Sequence, residues 1–263
     1  MKRRPSAALT AVLAAAALLG GCGDPDDAEP GAPGSAASNL GGTLTVFAAA
    51  SLTESFTELG EQFEARHPGT TVRFSFGPSS GLATQITQGA PADVFASASA
   101  RNMEQVVAAK AAASPTTFAE NQMQIAVPPA NPAKIAALAD LAKPGVKVAL
   151  CAAEVPCGAV ARKVFAAAKL TVTPVTNEAD VKATLTKVQL GEVDAGVVYV
   201  TDVKAAGAKV TGIEIPDDVN ASTAYPIATL SSTRNAPLAK AFVDHVLSAD
   251  GAVVLAESGF RTL

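Results

Sequence analysis

The sequence predicts an α/β fold, with helices layered on largely parallel sheets, and two observations carry that expectation. Strand-like runs and helix-period segments alternate from Thr43 to Glu257, the order that packs helices onto parallel strands. Glycine and proline punctuate the junctions, as at His67-Pro68-Gly69 and at Gly89, where helices end. The folded part, from about Leu40 to Leu263, is long enough for one large domain or two small lobes.

The chain's first segment stands outside that fold. Lys2, Arg3 and Arg4 precede an apolar run from Ala7 to Leu19. The run is shorter than the roughly 20 residues a spanning helix needs, and no later segment could span a membrane. A basic start, a short apolar stretch and then small residues read as a secretory signal peptide over residues 1–21. Leu19-Gly20-Gly21-Cys22 resembles a lipobox. It implies cleavage before Cys22 and a diacylglycerol thioether on its sulfur, anchoring an exported chain to the outer face of the cell membrane. The alternative is an ordinary signal peptide with an incidental cysteine. Gly23 to Ser38 hold Asp24, Asp26, Asp27 and Glu29 with three prolines and no large apolar side chain. Such a segment cannot bury enough surface to order itself, so residues 22–39 read as a lipidated cysteine and a disordered tether.

Export bears on the other cysteines. With Cys22 lipidated, Cys151 and Cys157 remain, and outside the cytoplasm they can form a disulfide or stay as two thiols. The net charge of -4, with no basic cluster, argues against a nucleic-acid partner.

The elements follow in order. Thr43–Phe47 is a β-branched run bounded by glycines, a buried strand. Leu52, Phe56, Leu59 and Phe63 mark one face of a helix running to Arg66. Strands at Thr71–Phe76 and Asp93–Ala96 flank a short helix, Leu82–Gln88, and Met103–Ala109 is helical. Beyond it come a strand at Met123–Val127, a helix at Ile135–Leu141 and a strand at Val146–Leu150. Helices at Ala159–Leu170 and Val181–Leu190 precede a strand at Ala195–Val200. A strand at Tyr225–Leu230 and helices at Pro237–Leu247 and Ala249–Glu257 complete the pattern.

Four junctions put small polar residues or free N–H groups just before a helix: Ala48-Ala49-Ala50-Ser51, Gly77-Pro78-Ser79-Ser80-Gly81, Val155-Pro156-Cys157-Gly158 and Glu178-Ala179-Asp180-Val181. Helix N-termini have unpaired donors and partial positive charge, so they hold anions without any lysine or arginine. In α/β sheets they gather at the carboxyl edge of the strands. Each junction also has a purely local explanation. Ser51-Leu52-Thr53-Glu54 is a capping box, and Ser79 or Ser80 can cap the next helix. Tyr199, at a strand end, is either a core tyrosine or a donor to a ligand.

Gly77-Pro78-Ser79-Ser80-Gly81 also fits the Gly-x-Ser-x-Gly nucleophile elbow, and Ser79, an aspartate and His245 follow the chain order of a triad. Against this, His245 falls on a helix beside Asp244, near the polar side, and no Gly-rich loop precedes Ser79. The chain has two histidines, no His-Glu-x-x-His and no Cys-x-x-Cys, so a metal hydrolase lacks its ligands. The expectation is a protein that is not an enzyme and binds no metal through its own side chains.

Taken together, Val46-Phe47-Ala48-Ala49-Ala50-Ser51-Leu52, Phe76 to Leu82, Gly89-Ala90-Pro91-Ala92-Asp93-Val94-Phe95, Val155 to Gly158, Ala179-Asp180-Val181 and Val197-Val198-Tyr199 resemble the molybdate-binding proteins of bacterial ABC importers, the ModA family. Matches to the family's pattern run from about Thr43 to Phe260. The resemblance implies the two-lobed periplasmic-binding-protein fold of type II, with the ligand in the cleft between lobes. One lobe would be 40–121 plus 225–263, the other 122–224. The implied ligand is molybdate or tungstate, with no further cofactor, carried by a monomer to an importer permease. The implied donors are Ser51 and Ser79, the backbone N–H groups of Cys157 and Val181, and the Tyr199 hydroxyl. Two departures stand out: Cys157 replaces a small apolar residue, and Pro78 removes one N–H beside the site. A cage of donors alone suits a fully deprotonated dianion, whereas hydrogen phosphate would need an acceptor. Sulfate is deprotonated but smaller, so a binding protein of this fold for sulfate or another tetrahedral oxyanion is the alternative.

Overall fold

The structure is a computed structural model that describes residues 40–263. The expected signal peptide, the lipidated Cys22 and the acidic tether lie outside the described residues.

The first lobe opens with β1 (Gly42–Ala49), α1 (Thr53–Arg66), β2 (Thr70–Gly77), α2 (Ser79–Thr87), β3 (Val94–Ala96) and α3 (Ala100–Ala108). β1 lies between β2 and β3 and is parallel to both. α1 turns Phe56, Leu59 and Phe63 inward, and the Phe242 ring meets Phe63 edge-on at 5.4 Å. Each such buried side chain contributes roughly 1.5–3 kcal/mol over its exposed form. Gly60 is required on this face, because a Cβ there would lie 2.6 Å from the Phe74 ring.

The chain then passes along β4 (Thr116–Val127) into β5 (Val148–Cys151), α4 (Pro156–Ala167), β6 (Thr176–Glu178), α5 (Val181–Gln189), β7 (Ala195–Tyr199), α6 (Val200–Ala206) and β8 (Thr211–Glu214). It returns through β9 (Ser222–Thr229) to α7 (Ala236–Val246), α8 (Ala249–Glu257) and β10 (Arg261–Thr262). The strand order is β2-β1-β3-β9-β4-β7-β5-β6, with β8 and β10 also on β4. The first half of β4 pairs with β9 and β10, and the second half, from Met123, pairs with β7 and β8. β4 and β9 are therefore the strands that join the lobes. The apolar cores divide the same way. One large cluster draws on residues 123–215; the other two draw on residues 44–119 and 225–260.

Three expectations need correction. The sheet is mixed rather than largely parallel. Parallel pairs are confined to β1, β2 and β3 and to β5, β6 and β7, and every ladder that involves β4 or β9 is antiparallel. A strand that crosses between lobes and one that crosses back must run in opposite directions. The helix expected at Ile135–Leu141 is a short 3-10 segment, Leu138–Ala142. Asn131 grips both the N–H and the C=O of Ile135, and the Asp140 carboxylate takes the N–H groups of Ala136 and Ala137; these side chains outcompete a helical ladder. Finally, α2, α3 and α4 each begin three residues earlier than the apolar period indicates. Their opening residues, Ser79-Ser80-Gly81, Ala100-Arg101-Asn102 and Pro156-Cys157-Gly158, include no large apolar side chain, so they carry no amphipathic signal.

Candidate functional site

That earlier start places the small polar residues inside the helices' first turns. Ser79 is the first residue of α2, behind Pro78 as its cap. Cys157 is the second residue of α4, behind Pro156. Val181 opens α5, whose cap Asp180 accepts from the Ala183 N–H at 2.9 Å. Ser51 sits in a 3-10 turn, Ala50–Leu52, between β1 and α1. In each place, N–H groups at the start of a helix have no partner further back in the same helix.

These four starts and the end of β7 converge on one cavity of about 230 Å3, counting its mouth. Ser51, Ser79, Cys157, Val181 and Tyr199 all line it, and all five are buried. The first two belong to the first lobe and the other three to the second, so the lobes close on each other here. The remaining lining is Ala49, Ala50, Gly77, Pro78, Ala98, Val155, Pro156 and Asp180. None of it is lysine, arginine or histidine. Small side chains and backbone wall the cavity closely. It suits a compact ion.

The side-chain hydrogen bonds show how the donors are held. Ser79 Oγ accepts from the Ala98 N–H at 3.0 Å. Ser51 Oγ pairs with the Tyr225 hydroxyl at 2.8 Å. Ser51 therefore does not form the capping box its neighbours spell; α1 has no side-chain cap, and Thr53 turns back to the Ala50 carbonyl instead. The Tyr199 hydroxyl is buried with no hydrogen-bond partner among the described residues. An orphaned hydroxyl facing a cavity is costly unless a ligand accepts from it. Burial pushes the Tyr199 phenol well above its ordinary range, so it stays a neutral donor.

Cys151 and Cys157 form a disulfide, with Cα atoms 5.8 Å apart. It ties the end of β5 to the first turn of α4, one wall of the cavity. Gly158 lets that turn approach closely: a Cβ there would meet the Cys151 carbonyl oxygen at 2.7 Å.

Charge stands one layer back. Lys182, the residue after Val181, reaches both carboxylate oxygens of Glu54 across the lobes at 2.7 and 2.8 Å, and Asp202 Oδ1 at 3.1 Å. Asp202 is fully buried, and its other oxygen accepts from the Tyr199 N–H. Burial raises the Asp202 carboxyl to about 6, against the pull of Lys182. Burial pulls the Lys182 ammonium down, but Asp202 and Glu54 more than offset this and leave it raised.

The sequence reading did not single out Tyr225, Lys182, Glu54 or Asp202. Only Tyr225 had a visible signal: it is one of two tyrosines in a chain without tryptophan, and the other is Tyr199. The triad reading finds no support in the geometry. Ser79 bonds a backbone amide, whereas His245 is buried beside Phe63, rings 5.8 Å apart, rather than near a polar side.

Two α/β lobes, joined by crossing strands and closed over a small cavity lined by helix starts, define a two-lobed solute-binding protein. The known proteins agree. The model for bacterial extracellular solute-binding proteins matches residues 44–261. The molybdate-binding protein ModA of Mycobacterium tuberculosis is 45% identical over 219 residues, covering 83% of this chain and 84% of that one. The periplasmic molybdate-binding protein of Azotobacter vinelandii superposes with a TM-score of 0.72 at 20% identity, over 84% of this chain and 99% of that one. The sulfate-binding protein SubI of Mycobacterium tuberculosis superposes with a TM-score of 0.74 at 17% identity, over 84% and 87%. The chain belongs to the ModA family of bacterial extracellular solute-binding proteins.

Proposed function

We propose that this protein captures molybdate or tungstate outside the cell membrane and hands it to an ABC importer. The observation that carries the reading is the cavity itself: small, free of cations, lined by helix starts, and faced by the buried Tyr199 hydroxyl. Ser51, Ser79 and Tyr199 supply hydroxyl donors, and Cys157 and Val181 supply backbone N–H groups. The metal is cargo inside the oxyanion, so no side chain coordinates it and no resident cofactor is required. Two lobes sharing one ligand also explain delivery, since hinge opening separates the donors and releases it. On this reading residues 40–121 with 225–263, and residues 122–224, move as the two jaws. The monomer hangs from the membrane by a lipid on Cys22, and its role is binding rather than catalysis. The 45% identity to a named molybdate-binding protein supports molybdate over other oxyanions.

Titration calorimetry with molybdate, tungstate, sulfate and phosphate tests the ligand. Molybdate and tungstate should bind tightly and sulfate and phosphate weakly. The sulfate alternative rests on the likeness to a sulfate-binding protein; sulfate binding as tight as molybdate would establish it and remove the lead. Replacing Cys22→Ser should release the mature protein from the membrane fraction, and retention would remove the anchor.

A further inference from the structure

We propose that Tyr225 is a specificity-determining positioning residue: by donating to Ser51 Oγ it turns the serine proton into the cavity and keeps that hydroxyl from serving as an acceptor. The inference deepens the oxyanion reading and rests on it.

A serine hydroxyl has one proton and two acceptor lone pairs. It can donate to a deprotonated oxyanion or accept from a protonated one, and left free it does either. A cage that contains such a hydroxyl is not donor-only until something settles its direction. For Ser79 the backbone does so: the Ala98 N–H can only donate, so it occupies a lone pair of Ser79 Oγ at 3.0 Å. Ser51 has no such amide. Its side-chain partner is the Tyr225 hydroxyl at 2.8 Å, and either oxygen can be the donor. A phenol is ordinarily the stronger donor of the two, and Tyr225 is fully buried with its O–H needing a partner. Once a dianion occupies the cavity, the order that satisfies every group is Tyr225 to Ser51 to ligand. Both serines are then turned as donors, so neither offers its hydroxyl readily to a proton carried by the ligand.

Tyr225 is placed for this by the hinge. It lies on β9 opposite Ala119 of β4, wedged against Phe260 at 5.1 Å and against both Phe118 and Tyr199 at 6.2 Å. Its hydroxyl therefore stays fixed relative to Ser51, while Tyr199 comes from the opposite lobe.

The test compares oxyanions of matched size that differ by a proton. Sulfate and hydrogen phosphate form such a pair, and each is titrated as a competitor of molybdate at mildly alkaline pH. Tyr225→Phe keeps the ring and removes the donor. Molybdate binding should weaken severalfold, and phosphate should gain on sulfate by about fivefold, the worth of one ordinary hydrogen bond. In a Ser51→Ala background the same change should leave the phosphate-to-sulfate ratio unmoved. A ratio unchanged in Tyr225→Phe, or changed equally in both backgrounds, overturns the proposal, because a merely structural tyrosine would weaken all the anions alike. Wild-type protein that binds no molybdate overturns the functional reading as well, so the two failures are separable. Should Tyr225→Phe fail to fold, fluorotyrosine labelling of the intact chain gives two resonances, since there are two tyrosines. Assigned through Tyr199→Phe, the Tyr225 resonance should shift on saturation with molybdate and not shift in Ser51→Ala. No shift in the wild type, or the same shift in both, overturns the proposal.

Discussion

Replacing Tyr199→Phe separates a ligand donor from an ordinary core tyrosine, because the two roles predict opposite results. The hydroxyl is buried and meets no protein partner. A buried hydroxyl without a partner costs about 1–3 kcal/mol on protein mutational data. Removing it from the ligand-free protein should therefore leave the melting temperature unchanged or raise it. Removing it from the complex deletes one hydrogen bond to a charged ligand, worth about 1.5–3 kcal/mol. At roughly 2 kcal/mol the dissociation constant weakens about 30-fold. The assay is thermal melting with and without molybdate. At a ligand concentration about 100 times the wild-type dissociation constant, the wild type gains about 2.7 kcal/mol from binding, and the variant at the same concentration about 0.9 kcal/mol. For a domain of this size each kcal/mol moves the midpoint by about 2–4 °C. The ligand-induced shift should thus fall from about 5–11 °C to about 2–4 °C. A lower ligand-free midpoint with an undiminished ligand shift would refute the reasoning, since Tyr199 would then be a satisfied core residue.

Three further outcomes follow from the surroundings of the cavity. Glu54→Gln breaks the ion pair that joins the lobes but leaves Lys182 on Asp202. Because Glu54 is half exposed, molybdate affinity should drop by no more than about fivefold at low salt, with the difference lost in 1 M salt, as titration in both buffers will show. Reducing the Cys151–Cys157 disulfide should lower stability by about 2 kcal/mol on the loop-closure model, measured by denaturant unfolding with and without reductant. Two buried groups should make stability depend on acid with opposite signs. His245 is held below its ordinary 6.5 by burial and by Arg66, so the unfolded chain takes up protons first and stability falls as pH drops below about 6.5. Asp202 is raised from 3.8 to about 6, so the folded chain takes up protons first, and its contribution is present in acid and lost as pH rises through about 6. Urea unfolding from pH 7 to 4 should accordingly show a steeper loss in acid for Asp202→Asn than for the wild type.

What the sequence made legible was whatever repeats locally. The face Phe56, Leu59, Phe63 identifies α1, and the β-branched run before it identifies β1. The helix starts escaped the apolar period because Ser79-Ser80-Gly81 and Pro156-Cys157-Gly158 carry no large side chain, although these turns matter most to the cavity. α6 went unread because it is short, Val200–Ala206, and its first turn is set by Asp202 reaching back to the Tyr199 N–H. The candidate donors were legible through motif resemblance, but the groups that orient them were not. Tyr225 lies 174 residues from Ser51, and Glu54 lies 128 from Lys182. Pairings at that separation leave no local pattern to read.

The placement of charge is itself an argument about selectivity. A lysine inside the cavity would attract every anion, since Coulomb attraction reads charge and not protonation or size. Here Lys182, the residue after Val181, is engaged by Glu54 and Asp202, and the lining offers only neutral donors apart from Asp180, whose carboxylate caps α5. Neutral donors in a closed, dry cleft still hold a dianion, because the low local dielectric strengthens each hydrogen bond. They do so only where each meets an oxygen lone pair at the right distance. Discrimination then rests on what the cage refuses, a bound proton or a shorter radius, and so on the groups that keep every hydroxyl pointing inward. The same neutrality eases release: once the hinge opens, water replaces the donors one for one, with no fixed cation left to hold the ion back.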